Sequence, residues 1–459
     1  MIRKIIKLIQ LLLIVYVFGW CLPIPAWAVV GDEEINYATI TDMRRDHEEL
    51  MTEEFEGSDE EQRAYLIRLV EEKRKKAAEG SEEEKTLSQE LIRLKSESLI
   101  RTKKWRDRIR FSPFEKISFD SNIQNQKQAK SDVIFNSGLG MQIDLGTQRT
   151  DIDIDYLGSY AAYIKKPELN RFENQLAVNG RYPFSSKTNA TASYRLSTTG
   201  DQNSEIRSVL ERLRQDAALT FNQRLSRKTA IRIGQTFSDV FFLSKKDQGN
   251  DSSQYTLSPE FNYLISHKTS IFARYAFGIS KGGLNDSNDA TAHELRGGIR
   301  GKIAPKTTAL LDFGVSRQNL DTLGGHVNGF VAEVVVITNI TRKSRLELLI
   351  NRSFSKTNET TGSNFFVTEN YRLTGTTQFR RHIAGEVLIG LRRNLFEQNN
   401  SISDTNQRDL TLELGSTLRY DFRKWLSLEL QYLFTGVNAS DSRREYGKHL
   451  VSLALNGKY

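Results

Sequence analysis

Residues 410–434, LTLELGSTLRYDFRKWLSLELQYLF, decide the fold class of this chain. Before the basic turn at Lys424, leucines such as Leu412 and Leu414 alternate with polar residues such as Glu413, and the alternation resumes after the turn. Because successive side chains on a β-strand point to opposite faces, each half has one apolar and one polar face. The stretch therefore predicts a β-hairpin that has an apolar environment on one side and water on the other.

The basic turn recurs through the C-terminal two thirds of the chain. Its seven copies are PFSSKT from Pro183, RLSRKT from Arg224, LISHKT from Leu264, KIAPKT from Lys302, NITRKS from Asn339, QFRRHI from Gln378 and DFRKWL from Asp421. The spacing is roughly 40 residues, and a fixed period of this size indicates a repeated supersecondary unit. Each copy lies between two alternating segments, so the unit is a hairpin.

The number of strands follows from the number of turns. An eighth hairpin, turning at Gly146, precedes the seven copies, so eight hairpins supply sixteen strands. The segments 446–459 and 114–125 can each add one more strand. Short turns and longer polar loops alternate strictly, so both ends of the series fall on the short-turn side. The sequence predicts an antiparallel barrel of about 18 strands, with about 16 as the alternative if the two edge strands fail to form.

Soluble architectures fit this pattern poorly. A propeller places four short strands in each period, whereas two long strands fill it here. Open sheets of this size normally split, and a β-solenoid would carry Gly and Asn at fixed corners. A closed transmembrane barrel satisfies every backbone N–H and C=O in lipid without leaving an edge. The terminal aromatic Tyr459 resembles the signal read by the barrel assembly machinery. We therefore predict an all-β transmembrane antiparallel β-barrel, with outer-membrane lipid and that machinery as partners.

The first residues are predicted to be a cleaved signal peptide, residues 1–28. Basic residues precede an apolar run, and Ala-Trp-Ala places small residues before a cleavage site after Ala28. An uncleaved anchor and a lipoprotein anchored through Cys21 are the alternatives. The run is short for a membrane span, and the bulky Trp20 disfavours lipidation of the cysteine. Export predicts localisation in the outer membrane of a Gram-negative type bacterium.

Residues 29–110 have helical rather than strand periodicity. Ser58 and Glu61 form a capping box, in which the serine accepts from a first-turn N–H and the glutamate reaches back. Thin apolar stripes and densely charged faces are typical of a solvated helical hairpin or coiled-coil arm. Its partner is left open between another copy, a periplasmic protein and the barrel itself. The predicted domains are a signal peptide (1–28), a charged α-helical periplasmic region (29–110) and the barrel (111–459).

The composition excludes several classes of site. Cys21 is the only cysteine and lies in the predicted signal peptide, so the mature chain has no thiol for a disulfide, a metal site or a nucleophile. A net charge of +8 would suit nucleic acid, but much of the excess lies on turns, and an exported chain is not expected to have a nucleic acid partner. A mean hydropathy of −0.49 excludes a bundle of membrane helices.

No residue pattern predicts an enzyme. The histidines lack the HExxH spacing, and His267 and His382 stand in turns. The segment 286–289 carries oxygen ligands, but it lacks the glycine of an EF-hand loop and Ala290 breaks the pattern. We expect no catalytic residue, no cofactor and no bound metal. A Ser, His and carboxylate brought together by the fold is the enzyme alternative, and no spacing favours it.

Strand parity assigns the charged residues of the wall to its inward face. The predicted pore-lining residues are Arg181, Arg195, Arg232, Arg274, Arg296, Arg300, Arg372, Arg392, Arg419, Asp312, Glu333, Glu347, Glu386, Glu413 and Glu429. Opposite charges across such a wall are expected to pair and to set the local field. A circumference of eighteen strands leaves an aqueous interior unless loops fill it.

The region from Phe114 to Tyr459 resembles the putative β-barrel porin 2 family in its hairpin cadence, in turns such as RLSRKT and LISHKT, and in its closing strand. The resemblance implies an outer-membrane barrel, of a family often associated with exopolysaccharide production loci. It implies a porin-like channel that passes polar solutes or a polysaccharide. The alternative function is a structural or assembly barrel that anchors the helical arm to a periplasmic partner.

Overall fold

A computed structural model describes residues 108–147, 150–200, 211–243, 251–282, 289–320, 326–356, 365–397, 408–440, 442 and 444–459. The predicted signal peptide and nearly all of the predicted helical region lie outside these residues, so both remain predictions. The predicted boundary at residue 110 was wrong by two residues, because Ile109 and Arg110 already belong to the first strand. The part of the chain that the structure describes contains eighteen β-strands and a short 3₁₀ helix, η1 (Pro167–Leu169). Within it, no helix is long and apolar enough to cross a membrane.

The strands follow the alternating segments of the sequence. In chain order they are β1 (Ile109–Asp120), β2 (Asp132–Asp144), β3 (Asp151–Tyr163), β4 (Arg171–Ser185), β5 (Thr188–Thr199), β6 (Arg212–Arg224), β7 (Thr229–Phe242), β8 (Ser252–Ser266), β9 (Thr269–Gly282), β10 (Ala290–Ala304), β11 (Thr307–Leu320), β12 (His326–Asn339), β13 (Ser344–Lys356), β14 (Phe365–Arg380), β15 (Ile383–Glu397), β16 (Arg408–Arg423), β17 (Leu426–Ala439) and β18 (Tyr446–Gly457). Strands of this length suit a tilted crossing of a bilayer.

The eighteen strands form one antiparallel sheet that closes on itself. β1 pairs with β2 on one side and with β18 on the other. The pairing of β1 with β18 runs from Phe114 opposite Asn456 to Asp120 opposite Leu450. Both edge strands therefore form, and the prediction of eighteen strands is confirmed over the alternative of sixteen. Closure removes every strand edge from the wall.

The tight turns and the ends of the barrel share one rim, which we call the short-turn rim. There the Phe111 N–H donates to the Tyr459 carbonyl at 3.0 Å, and the Tyr459 N–H donates to the Phe111 carbonyl at 2.8 Å. The longer connections lie on the opposite rim, called the long-loop rim. The strict alternation of short and long connections in the sequence gives this asymmetry.

The recurring basic turn has two structural roles. In the copy that contains Ser226, the serine hydroxyl accepts from the Lys228 N–H at 3.1 Å, which tightens the turn. The Lys228 carbonyl then accepts from the Leu264 N–H of the following turn at 2.7 Å, which joins one hairpin to the next. The equivalent carbonyl bonds run from Arg224 to Lys187, Lys302 to Lys268, Asn339 to Lys306, Gln378 to Lys343, Asp421 to His382 and Lys458 to Trp425. The repeat of about 40 residues in the sequence therefore corresponds to a repeated backbone hydrogen bond between consecutive hairpins along the short-turn rim.

Large apolar side chains cover the outer face of the wall, including Leu412, Leu414 and Leu418. Aromatic residues cluster beside the short-turn rim, where Tyr420 and Phe422 meet edge to face at 4.6 Å and the rings of Trp425 and Tyr459 stack at 5.8 Å. An apolar band with aromatic residues at its edge is the outer surface that transmembrane barrels present to lipid.

Candidate functional site

Charged side chains occupy the inner face of the wall. All fifteen charged residues that parity assigned inward lie at positions opposite in parity to the exposed apolar residues. For example, Arg274 has Glu260 and Arg296 as cross-strand partners, whereas its neighbour Tyr275 is 41% exposed on the outer face. Their role in lining a conduction path remains a prediction, but their positions bring many of them into contact.

The densest contacts surround Asp312 on β11. Its carboxylate accepts from Arg274 Nη2, and Oδ2 lies 3.8 Å from Arg296 Nη1. Glu294 accepts in turn from Arg296 Nε. The Asp312 side chain is 1% exposed, so the two guanidiniums compensate a charge that would otherwise be costly to bury. Asp312 Oδ1 and Oε1 of its cross-strand partner Glu333 have no hydrogen-bond partner among the described residues.

A second group of contacts lies beside it, on β8 and β10. Glu260 accepts from Arg300 Nη2, and the same nitrogen donates to Asn262 Oδ1 at 2.8 Å. Asn262 Nδ2 donates back to Glu260 Oε1 at 3.0 Å. The guanidinium of Arg300 lies over the ring of Phe272 at 4.5 Å, a cation–π contact. This arrangement fixes the Arg300 head group against the wall.

Three of these ion pairs join strands that are not neighbours. Arg274 and Asp312 connect β9 with β11, Arg300 and Glu260 connect β10 with β8, and Arg372 on β14 meets Glu413 on β16 at 3.3 Å. Side chains stand roughly perpendicular to a sheet, so on the concave side of a closed barrel they converge. Long side chains can therefore reach over an intervening strand, which supports the assignment of these residues to the lumen.

The Arg372–Glu413 pair passes over Gly390, which is the cross-strand partner of both residues. A β-carbon at Gly390 would lie 3.2 Å from Glu413 Oε2 and 3.3 Å from Glu413 Cβ. We expect Gly390→Leu to separate the pair and to add bulk to the lumen. Because the pair is partly exposed, the predicted loss is about 1 kcal/mol or less in the free energy of unfolding, together with a lower single-channel current.

Urea unfolding in detergent and single-channel recording check this prediction. Gly180→Leu is the control, since a β-carbon at Gly180 meets only the Ala192 carbonyl, at 3.9 Å, and points outward. An unchanged midpoint together with an unchanged current in Gly390→Leu would contradict the bridging geometry.

An apolar patch lies on the inner face, and its members have the charged residues Arg300, Glu347 and Arg372 as cross-strand partners. It consists of Phe272, Leu310, Val335, Ile337 and Leu349, which are at most 6% exposed. β12 is apolar on both faces here, and near-continuous apolar runs are typical of strands buried on both sides. Strand alternation, which was used to assign the lumen, did not predict this patch. The uninterrupted apolar run from Val334 to Ile337 could have indicated a strand buried on both faces.

The other predicted site residues are held by fewer contacts. Arg232 Nε donates to Asn222 Oδ1 at 3.0 Å, and Arg419 Nε lies 2.8 Å from Asp421 Oδ1. Glu347 Oε2 lies 3.5 Å from a guanidinium nitrogen of the neighbouring Arg345. Within the described ranges, no salt bridge forms at Arg181, Arg195, Arg392, Glu386 or Glu429.

Two histidines on the strands lie on the outer face and contact tyrosines there. His293 Nδ1 is 2.7 Å from the Tyr275 hydroxyl, and His449 Nδ1 is 3.0 Å from the Tyr432 hydroxyl. Among the residues that the structure describes, no group of three or more His, Cys, Asp or Glu side chains is arranged to hold a metal ion. The inner wall offers fixed charges and hydrogen-bonding groups, which suit recognition of polar solutes.

The chain matches one protein family in sequence and several solved structures at low identity. The family model described as putative beta-barrel porin 2 matches residues 114–459. No curated protein matches the sequence significantly. Among solved structures, the outer membrane protein OpdK from Pseudomonas aeruginosa is 10% identical with a TM-score of 0.44, and the match covers 76% of this chain and 99% of that one. The siderophore receptor PirA from the same organism is 12% identical with a TM-score of 0.42, covering 78% and 81%.

Proposed function

The chain belongs to the putative β-barrel porin 2 family, and from this premise we propose that it is an outer-membrane channel for polar solutes. The observation that carries the proposal is the inner wall. Eighteen strands close into one barrel, with arginine–carboxylate contacts on the inner face and apolar residues on the outer face. A barrel of this strand number encloses an aqueous interior unless it is filled, and the charges that line it govern which solutes enter.

The balance of charges on the wall favours uncharged or zwitterionic polar solutes. Asp312 and Glu260 are each bonded to arginines, so the field of each charge is partly cancelled at short range. Guanidinium and carboxylate groups can still exchange hydrogen bonds with sugar hydroxyls. The proposed cargo therefore includes saccharides, and the family resemblance extends this proposal to exopolysaccharide export.

Planar bilayer recording tests the proposal. Purified full-length protein refolded in detergent is expected to give discrete current steps, and millimolar neutral oligosaccharide is expected to block them reversibly. A short acidic peptide of similar size is the control, and we expect it to block less. Protein that is folded, as judged by a shift in gel mobility on heating, but never conducts above background would overturn the channel proposal.

A second proposed role uses the segment before the barrel. β1 begins at Ile109 on the short-turn rim, so the preceding residues join the barrel on the side of the tight turns. Short turns face the periplasm in bacterial outer-membrane barrels. This placement supports the proposal that the chain from residue 29 up to β1 presents a helical arm to a periplasmic protein, with the barrel as its anchor.

A further inference from the structure

Three charged side chains lie in contact on the outer face of the wall, where lipid is expected. Arg352 on β13, Glu369 on β14 and Arg393 on β15 are successive cross-strand partners. Their parity is that of the exposed Tyr371 and Leu391, which are 41% and 38% exposed. The group is therefore separate from the charged inner wall.

Glu369 holds both guanidiniums in place. Its Oε1 accepts from Arg352 Nη1, and its Oε2 accepts from Arg393 Nε at 2.8 Å. Arg352 Nε also donates to the Phe330 carbonyl at 3.1 Å. The carboxylate is only 9% exposed, whereas the side chains of Arg352 and Arg393 are 31% and 46% exposed. The acid is thus enclosed, and the two cations are presented outward.

A third cation extends the group. Arg408 on β16 is exposed, has outward parity and pairs with Leu395, while Arg393 pairs with the adjacent outward residue Leu410. Diagonal neighbours of this kind are about 7–8 Å apart at the backbone, within reach of two long side chains. Two arginines therefore share the Glu369 carboxylate and a third lies within reach of them, which leaves the group with an excess of positive charge.

The position of the group along the barrel identifies its surroundings. On β14 the outward aromatic Phe379, which is 61% exposed, lies beside the short-turn rim. Glu369 is ten residues before Phe379 on the same strand. At ~3.3 Å per residue and a tilt of ~40°, this separation is roughly 25 Å along the barrel axis. The apolar band of a transmembrane barrel is about 25 Å tall. Glu369 and its arginines therefore lie at the outer border of the band, at the depth of lipid head groups.

We propose that Arg352, Arg393 and Arg408 bind the phosphate of a phosphorylated lipid head group in the outer leaflet. A planar guanidinium presents paired N–H donors that match phosphate oxygens, and Glu369 fixes the orientation of two of the three. Charged residues on the lipid face cost little near the interface and several kcal/mol at the midplane. An anionic head group at this depth would supply the negative charge that the group lacks.

Lipid binding to the full chain in neutral detergent tests the proposal, with native mass spectrometry as the readout. The probes are dioleoyl phosphatidic acid, dioleoyl phosphatidylcholine and inorganic phosphate. Wild-type protein is expected to retain phosphatidic acid preferentially. Since each arginine near an anionic surface contributes about 1 kcal/mol, each single substitution, Arg352→Gln or Arg393→Gln, is expected to weaken binding about 5-fold and the double variant about 25-fold.

Arg392→Gln is the matched control, because Arg392 is the sequence neighbour of Arg393 but lies on the inner face. We expect it to retain wild-type affinity for phosphatidic acid. The proposal would be overturned if the wild type and the double variant bound phosphatidic acid equally well. It would also be overturned if the wild type bound phosphatidic acid and phosphatidylcholine equally well. Binding of inorganic phosphate as tight as that of the lipid would overturn the lipid assignment. If the double variant does not refold, the two single variants and Arg393→Lys give the same discrimination.

Discussion

Deleting residues 446–459 is expected to abolish the folded barrel. The deletion removes β18, which pairs with β17 on one side and closes the barrel against β1 on the other. Two open strand edges would then face lipid, and each unsatisfied backbone group there costs several kcal/mol. Refolding in detergent micelles followed by gel electrophoresis is the measurement, and we expect the mobility shift on heating to disappear.

Side-chain contacts across the same seam strengthen this expectation. Ser118 Oγ and Ser452 Oγ form a buried hydrogen bond at 2.9 Å, and Lys448 Nζ lies 2.8 Å from Asp120 Oδ2. A shorter deletion of residues 458–459 is the control, since it keeps all of β18 and its cross-strand register and removes only the backbone bonds of Lys458 and Tyr459 at the short-turn rim. The shorter variant should refold in detergent. A heat-modifiable barrel formed by the longer deletion would show that β1 and β17 can close without β18, contrary to the observed topology.

Asp312→Asn is expected to have the second largest effect, on both stability and ion selectivity. The substitution keeps the shape of the side chain but removes the charge shared by Arg274 and Arg296. Removing one partner of a buried ion pair typically costs 3–5 kcal/mol, and we expect about 3 kcal/mol because the asparagine carbonyl can still accept a hydrogen bond. The uncompensated arginines should also shift the reversal potential in a salt gradient toward anion selectivity.

Glu386→Gln separates the two effects of the Asp312 substitution. Glu386 is an exposed residue of inward parity that makes no salt bridge in the described ranges. Glu386→Gln removes one negative charge from the wall, as Asp312→Asn does, but breaks no ion pair. We expect little change in its urea midpoint. Adding Arg274→Gln to Asp312→Asn should restore the charge balance and recover part of the selectivity. Equal midpoints for Asp312→Asn and Glu386→Gln would refute the structural role of Asp312.

The architecture was predictable because it depends on local patterns. Alternation such as that from Leu410 to Leu414 specifies a strand with two unlike faces, and the recurring turn specifies where each strand ends. Hence the number of strands, the two unlike rims and the parity of all fifteen charged residues followed from the sequence. The contacts made by those residues did not follow, since parity gives a face but not a partner.

What the sequence by itself determined is the closed barrel and the face on which each side chain lies, because β-periodicity is a property of neighbouring residues. Only the tertiary structure decided that Arg274 reaches Asp312 over an intervening strand, that Val335 and Ile337 join an inner apolar patch, and that Arg352, Glu369 and Arg393 form one outward row. The physical reason is that these contacts depend on curvature and register between strands. Closure of the whole sheet sets both the curvature and the register, so neither can be read from the sequence of a single hairpin.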